Sequence, residues 1–433
     1  MNVELSEVAP GAGGPRPAAE PAEASEPAPG TELARGVVGS LAARAEAADR
    51  SGELPAADLD DLRAAGLLGL LVPRRLGGFG GGFGDWADTA RVLAAGSGAT
   101  ALALNMHTSV VGALAGTPDE LAHAMGAPET YFAARDRILT DAARGSFIAV
   151  AMSERGAGSR LSGLSTSYRR DGDGYRITGL KSFCSGASHA DVYFVAARAA
   201  DRDEQAGEAP GKIDVPGKIS HFLVPAGPGV DVEPNWDTLG MRGTGSHDLR
   251  LDVWVPADAL VGGLEGLSVL VAQVMPQWLV ASYAAVYAGV ARAAFDAGAQ
   301  HARGRTAPGL PNGLVGLPAV RARFGQADAA LAALDLVIDE CARRVNADPG
   351  SPTTNAWVWR AKLLAGQTAH EVASSMVEAC GTAVTRRGHP LERLYRDARC
   401  GSLQPATSDV CADWLGLAAL GGDPDADAAV PRW

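Results

Sequence analysis

The order of helical and strand patterns along the chain is the feature that most constrains its fold. Apolar residues recur at three- and four-residue spacing from Gly30 to about Arg144, which predicts amphipathic helices. Short β-rich runs punctuated by Gly, Asp and Pro follow, and long Ala-rich helical segments begin at Leu264. Because strands do not alternate with helices, the parallel sheet of a dinucleotide-binding fold is not indicated.

The 433 residues are too many for one compact core, so two or three subdomains are expected. We predict a disordered tail at 1–30, an α-helical N-terminal domain at 31–144, a strand-rich domain at 145–260 and a C-terminal α-helical domain at 261–425. The tail is rich in Pro, Ala, Glu and Gly, a composition that buries too little apolar surface to fold. Residues 200–218 are predicted to form a flexible insertion between strands.

The composition argues against several classes of protein. A net charge of −12 disfavours a nucleic-acid partner, because phosphate contacts need clustered Lys and Arg. The five cysteines show no C-x-x-C spacing, so neither disulfides nor a metal site is expected and a reducing cytoplasm fits best. Residues 92–118 contain no Asp, Glu, Lys or Arg, which could suggest a membrane span. They include the polar Asn105 and His107 and lack the basic flanks of a membrane anchor, so a buried helix pair is favoured.

A loop of small residues follows the first apolar run of the strand-rich region. Gly156, Ala157 and Gly158 would let backbone N–H groups approach a ligand closely. The spacing lacks the third glycine and the following helix of a dinucleotide-binding loop. The loop is therefore predicted to contact a ligand of another kind.

Four segments carry a specific resemblance. Residues 151–160, AMSERGAGSR, resemble the A-x-[TS]-E-P-x-x-G-S-D signature of the acyl-CoA dehydrogenase superfamily, whose members are FAD enzymes. Residues 175–198, 239–256 and 391–399 are similar to its G-x-K-x-[WF]-x-[TS], G-x-R-x-[ST] and Y-R-D-A-[RK] segments, in the same order. The resemblance implies an α+β fold with an α-helical N-terminal domain, a central β-barrel and a C-terminal four-helix bundle.

The resemblance also implies a noncovalent FAD at the ends of two strands. A flavin ring needs hydrogen-bond donors near its N1/O2 edge and near N5. Ser153 falls at the N1/O2 position with the backbone of Met152 beside it, and Ser185 falls at the N5 position. Phe183 takes the place of the aromatic residue that covers one flavin face. The alternative is that both serines only cap strand ends.

The same resemblance implies which residues contact the rest of the FAD. Arg305 falls where the family carries an Arg that reaches the pyrophosphate of a neighbouring subunit, which implies a homotetramer or homodimer. Gly381 stands in the adenosine-contacting segment, and Thr407 and Asp409 follow at flavin-contacting positions.

The small-residue loop is placed by the resemblance beside the pantetheine arm of an acyl substrate, with Ser159 as its polar contact. The usual Pro and Asp of the motif are Arg155 and Arg160 here. Arg160 could meet a phosphate of coenzyme A, the acidic surface of a carrier protein, or only solvent. The expected substrate is an acyl or acyl-thioester intermediate of specialised metabolism, presented by CoA, by a carrier protein or as a free acid.

The general base of the family is missing. An acyl-CoA dehydrogenase removes the C2 proton with a Glu carboxylate, because a thioester α-proton is only weakly acidic. Pro405 occupies one of the two positions that supply this Glu in the family, and Leu279 and Val280 occupy the other. None of the three can accept a proton.

Several functions therefore stay open. Asp409 could act as the base of an acyl dehydrogenase, or a β-keto acid could form its carbanion by losing CO2 and need no base. A flavin monooxygenase of the same fold would use oxygen with a reduced flavin, with His107 as the candidate catalytic residue; the alternative is that His107 is a hydrogen-bonded core residue. A flavin-binding scaffold or inactive subunit is disfavoured by the intact set of Ser153, Phe183 and Ser185.

Overall fold

A computed structural model describes residues 29–200, 219–267, 276–306, 309 and 312–424. Most of the tail predicted at 1–30 and nearly all of the insertion predicted at 200–218 lie outside these residues. Within them, helices, then strands, then helices follow one another along the chain, as the sequence pattern predicts.

Six described α-helices precede the first strand. They are α1 (Gly30–Ser51), α2 (Ala56–Ala64), α3 (Phe83–Gly96), α4 (Gly98–Gly116), α5 (Asp119–Ala124) and α6 (Glu129–Ala143). The charge-free run of the sequence forms the end of α3 and all of α4, and α4 is buried along almost its whole length. The Ser97 hydroxyl starts α4 by accepting a hydrogen bond from the Thr100 N–H.

Seven described strands form one sheet. They are β1 (Ile148–Ala151), β2 (Ser167–Asp171), β3 (Gly174–Cys184), β4 (Val192–Ala199), β5 (Ile219–Pro225), β6 (Val230–Glu233) and β7 (His247–Pro256). Their order is β1-β4-β2-β3-β7-β6, with β5 paired to β4. β1 runs parallel to β4, whereas β3 runs antiparallel to both β2 and β7.

The remaining described helices form an Ala-rich C-terminal bundle. They are α7 (Ala281–Gly304), α8 (Pro318–Ala347), α9 (Pro352–Cys380), α10 (Pro390–Arg399) and α11 (Ser408–Ala419). Proline stands in the first turn of α8, α9 and α10, where its missing N–H costs no hydrogen bond. Among the described residues, one helical segment is long and apolar enough to cross a membrane: Pro276–Gly304, which consists of α7 and the short turn before it. However, 72% of its most apolar window is buried inside the protein. Burial of this extent is typical of a core helix.

The Y-R-D-A segment on α10 connects the three regions. The Arg396 guanidinium donates to both carboxylate oxygens of Asp49 on α1, at 2.8 and 2.6 Å, and to the carbonyl of Leu239. Its neighbour Asp397 accepts a hydrogen bond from the Met241 N–H at 2.6 Å. A Cβ on Gly240 would lie 2.1 Å from the Arg396 carbonyl oxygen, so only glycine permits this close approach. This motif therefore fixes the loop that precedes β7.

Candidate active site

Two hydrogen bonds join the segment after β1 to the end of β3. The Ser182 N–H donates to the Ser153 carbonyl at 2.9 Å. The ammonium group of the buried Lys181 donates to the Met152 carbonyl at 3.4 Å. The structure therefore brings Met152 and Ser153 next to the segment that carries Phe183 and Ser185.

A buried ion pair holds these two segments together. Glu154 accepts a hydrogen bond from Lys181 Nζ at 2.9 Å, and its carboxylate also accepts from the backbone N–H groups of Ser165 and Thr166. Burial raises the pKa of Glu154, but the charge of Lys181 and the bonds from Ser165 outweigh it and lower this pKa to about 2. Both residues stand in motif segments of the sequence, yet their pairing was not predicted.

Phe183 has an unusual backbone conformation at the end of β3. Its φ is +61°, in the left-handed region that residues other than glycine rarely adopt. The side chain is 56% exposed, and its ring meets the ring of Trp236 edge to face at a centroid distance of 5.6 Å. Such a conformation is characteristic of functional sites, and it leaves an aromatic surface open to a ligand.

Ser185 is buried and belongs to a series of hydrogen-bonded hydroxyl groups. Its Oγ lies 2.9 Å from Ser246 Oγ, which lies 2.7 Å from Thr244 Oγ1. Thr244 Oγ1 donates to the Met241 carbonyl at 2.8 Å. Sequence reasoning could not find this hydroxyl chain, because its members come from two segments that are separated by about 60 residues.

The small-residue loop folds back on itself. Glu154 and Gly158 exchange backbone hydrogen bonds of 3.0 and 2.7 Å. Arg155, which replaces the usual proline, forms an ion pair of 2.7 Å with the buried carboxylate of Asp248. Ser159 is half-buried and Arg160 is exposed, and both stay predicted substrate contacts.

The residues predicted to hold the far part of the cofactor lie on the C-terminal helices. Arg305 is exposed directly after α7, and Gly381 ends α9 with a φ of +79° and open space around its Cα. The Thr407 hydroxyl caps α11 by accepting from the Val410 N–H, and Asp409 is exposed in the first turn of that helix. Their contacts with a cofactor stay predictions.

The structure places His107 in the second of its two expected roles, that of a core residue, and not in the catalytic one. The imidazole is fully buried, with Nε2 2.9 Å from the Leu68 carbonyl and Nδ1 accepting a hydrogen bond from the Ile148 N–H at 3.1 Å. Burial lowers its pKa to about 4, so the ring is neutral at physiological pH. With both nitrogens in use, His107 connects α4 to β1 as a core residue.

A cavity that is partly open to solvent lies where α4, the sheet and the segment before α7 meet. Its lining residues are Ser109, Val110, Ala113, Leu114, Thr117, Ala122, Tyr131, Val150, Met152, Phe194, His221, Val261, Gly262, Leu267, Trp278 and Leu279. The cavity thus reaches Met152, the residue before Ser153. Among the described residues, its lining includes no Asp, Glu, Lys or Arg.

The two positions that supply the general base in this family carry side chains that cannot accept a proton. Leu279 lines the cavity, Val280 is buried beside it, and Pro405 is half-buried. Asp409 is not among the described lining residues, so it does not supply a carboxylate to this cavity. The neighbouring residues 268–275 also contain no Asp or Glu in the sequence.

His221 and Trp278 are cavity residues that the sequence did not single out. The His221 ring stacks on Phe194 at a centroid distance of 4.5 Å, and burial lowers its pKa to about 3. Trp278 meets Phe83 edge to face at 5.3 Å. The cavity therefore presents aromatic and neutral surfaces to whatever binds there.

Three family models match the chain in order. They are the acyl-CoA dehydrogenase N-terminal domain at residues 32–122, the middle domain at 149–253 and the C-terminal domain at 277–413. The chain belongs to the acyl-CoA dehydrogenase family. The predicted resemblance and fold class are thereby confirmed.

Individual relatives include both dehydrogenase-like and oxygenating enzymes. The chain is 28% identical to the putative acyl-CoA dehydrogenase YdbM from Bacillus subtilis, over 83% of this chain and 88% of that protein. The chain is 30% identical to L-evernosamine nitrososynthase from Micromonospora sp., over 91% of this chain and 90% of that protein. It is 28% identical to dibenzothiophene monooxygenase from Rhodococcus qingshengii, over 88% and 91% of the two chains. FMN-bound TdsC from Paenibacillus sp. A11-2 matches with a TM-score of 0.77 at 25% identity, covering 90% of this chain and 97% of that one. The chain is an oxidoreductase of a flavoprotein family.

Proposed function

We propose that this enzyme is a flavin-dependent monooxygenase that oxygenates a sulfur or nitrogen atom of an uncharged, largely apolar small molecule. The observation that carries the proposal is the cavity beside Met152, whose described lining contains no carboxylate. Removal of a C2 proton from a thioester needs a positioned base, and loss of a general base typically costs about 100- to 10,000-fold in rate. Heteroatom oxygenation needs no such base.

The names of two relatives support the same reaction class. One is a monooxygenase of dibenzothiophene, a sulfur heterocycle, and the other is a nitrososynthase, whose product class carries oxygen on nitrogen. The two names differ in substrate polarity, and the cavity favours the apolar kind. Tyr131, Phe194 and Trp278 supply aromatic walls, and a charged substrate group would lose its hydration there without a compensating ion pair.

The residues at the strand ends fit a flavin ring. Phe183 offers an exposed aromatic face in a strained backbone, and the buried Ser185 hydroxyl lies two residues further on. A bound reduced flavin would supply the two electrons of the reaction. One atom of O2 would then enter the substrate, and the other would take up two protons and leave as water.

We propose FAD rather than FMN as the bound flavin. Arg305 is an exposed cation at the end of a helix, suited to a pyrophosphate, and Gly381 leaves open space beside its backbone for an adenosine. The flavin released from the purified protein, identified by mass spectrometry, tests this assignment.

The test of the function supplies reduced flavin from a separate flavin reductase under ¹⁸O2. Dibenzothiophene serves as the aromatic thioether probe, beside a neutral aryl amine. We expect a product of the thioether that carries one ¹⁸O atom and depends on the protein. No oxygenated product from either probe would contradict the proposal.

A parallel anaerobic experiment tests the alternatives that the family resemblance implies. Saturated acyl-CoA thioesters and β-keto acids are mixed with the oxidised enzyme in a stopped-flow instrument. We expect neither class to bleach the flavin rapidly. Rapid bleaching by an acyl-CoA would identify a dehydrogenase, and bleaching by a β-keto acid alone would identify a decarboxylating oxidase or dehydrogenase.

A further inference from the structure

The hydroxyl groups of Ser185, Ser246 and Thr244 form a chain that ends on the carbonyl of Met241. A hydroxyl group carries one proton and can donate only one hydrogen bond at a time. The direction of every bond in the hydroxyl chain can therefore be deduced from its fixed end.

The fixed end is the Met241 carbonyl, which can only accept. Thr244 donates its proton to this oxygen at 2.8 Å, so the bond of 2.7 Å to Ser246 requires Ser246 to donate. The proton of Ser246 is then used, so the bond of 2.9 Å to Ser185 requires Ser185 to donate. The proton of Ser185 thus points towards Ser246, which leaves the lone pairs of Ser185 Oγ for other partners.

The anchor of the hydroxyl chain is held in place from several sides. Met241 is buried in a left-handed conformation with a φ of +55°, and its N–H donates to Asp397 at 2.6 Å. Its carbonyl also accepts a bond of 3.3 Å from Trp236 Nε1. Turning the Thr244 proton towards Ser246 would take from this buried carbonyl its bond of 2.8 Å. The carbonyl would then keep only the two longer bonds, of 3.2 Å from the Thr244 N–H and of 3.3 Å from Trp236 Nε1, so the direction deduced from the fixed end retains its shortest bond.

We infer that Ser185 presents a lone pair, not a proton, to N5 of the flavin, and that Ser246 and Thr244 are the positioning residues that impose this polarity. The inference rests on the proposed flavin site. N5 accepts hydrogen bonds in an oxidised flavin and carries a proton after two-electron reduction, when it becomes a donor. A hydroxyl that can only accept favours the reduced state, which a monooxygenase must hold until oxygen arrives. This reverses the expectation from sequence that Ser185 is a donor to N5.

The test measures the affinity for oxidised and for reduced flavin, and the two-electron midpoint potential, in the absence of substrate. Ser246→Ala frees the Ser185 proton to turn towards N5. We expect the oxidised flavin to bind about tenfold more tightly, the reduced flavin to bind as before, and the midpoint potential to fall by about 30 mV. Thr244→Val removes the acceptor of the Ser246 proton. Ser246 can then donate to Ser185, which frees the Ser185 proton for N5, so the midpoint potential is expected to fall here too.

Ser185→Ala shows whether Ser185 accepts a hydrogen bond from N5 or donates one to it. If Ser185 accepts from N5, its removal weakens binding of the reduced flavin and leaves binding of the oxidised flavin unchanged. Adding Ser246→Ala to this variant then changes nothing further, because the hydroxyl that it reorients is gone. Ser220→Ala is the matched control, since Ser220 is a buried serine on β5 that bonds to Tyr168 and to the Gly266 N–H. It is expected to leave the potential unchanged.

Two results would overturn the inference. Weaker binding of the oxidised flavin in Ser185→Ala, with a higher potential, would mean that Ser185 donates to N5. Unchanged affinities in Ser185→Ala and Ser246→Ala would mean that the hydroxyl chain does not reach the flavin. Because no substrate is present, these results are independent of whether the enzyme oxygenates the thioether probe.

Discussion

At the level of a single residue, the proposed contact of Arg305 with a pyrophosphate predicts a difference between the two flavins. FMN has no pyrophosphate, so an Arg that binds this group contributes to FAD affinity alone. Arg305→Ala should therefore weaken FAD by about tenfold or more, as expected for a charge-assisted hydrogen bond, and leave FMN unaffected. Fluorescence titration of the apoprotein with each flavin measures the two affinities. Equal losses for both flavins would place Arg305 elsewhere in the site.

The Glu154–Lys181 pair gives a second residue-level prediction, about stability. The folded-state pKa of Glu154 is about 2, below its ordinary value of 4.5. Its contribution is therefore fully present above pH 4.5 and is lost as the pH falls from 4.5 towards 2. Glu154→Gln leaves the buried Lys181 ammonium without its counter-charge and should lower the free energy of unfolding at pH 7 by about 3–5 kcal/mol.

Urea denaturation at pH 7 and at pH 3 measures this effect. The difference between Glu154→Gln and the unmodified protein should be smaller at pH 3. The double variant Glu154→Gln/Lys181→Met removes both charges and should recover much of the loss. A loss below about 1 kcal/mol in the single variant would show that water reaches the pair.

Sequence reasoning succeeded for residues whose role is local and failed for residues whose partners are distant. Leu279, Val280 and Pro405 cannot accept a proton wherever they lie, so the missing base could be predicted. The sequence left His107 open between a catalytic and a core role, because its two partners, Leu68 and Ile148, are about 40 residues away on either side. Only the packing of α4 against β1 shows that the imidazole has no free nitrogen.

At the scale of elements, the packing of α4 against the segment before α7 sets the size of the cavity. A Cβ on Gly112 would lie 2.5 Å from the Trp278 ring, so Gly112→Ala must displace this cavity wall. The gain in helix propensity of about 1 kcal/mol is offset by an overpacking cost of about 1–3 kcal/mol. We expect a KM for the thioether probe raised by about tenfold, with flavin affinity unchanged.

Gly116→Ala is the control one turn further along α4. A Cβ there would lie 3.4 Å from Trp278 Nε1, which is an ordinary contact. This variant should keep the KM of the unmodified enzyme. Equal KM values in all three proteins would mean that the substrate does not occupy the cavity lined by Trp278.

At the scale of the whole molecule, the order of motifs along the chain was enough to predict the fold class. The motifs carry structural constraints as well as chemistry: Arg396 and Asp397 fix the loop before β7, and Gly240 permits the close approach. The cavity was not predictable in the same way. Its lining comes from α4, the sheet and the segment before α7, and no stretch of sequence contains more than a small part of it.

The quaternary arrangement gives the last prediction. If Arg305 binds the cofactor of a neighbouring subunit, the protein is a homotetramer or homodimer, and sedimentation should show an oligomer. A mixing experiment then tests whether Arg305 acts between subunits. One protomer carries Arg305→Ala, and the other carries Ser153→Trp, which blocks its own flavin site. Each homo-oligomer should bind FAD weakly.

Unfolding and refolding the two variants together produces mixed oligomers. In these, the Arg305→Ala protomer keeps an intact strand-end site and receives Arg305 from the Ser153→Trp protomer. We expect one site per mixed pair to bind FAD as tightly as the unmodified protein does. In that site, one protomer supplies the intact strand-end site and the other supplies Arg305. If Arg305 acts within its own chain, mixing restores nothing, since the protomer with a functional strand-end site still lacks its cation. Circular dichroism of each variant before mixing verifies that both are folded.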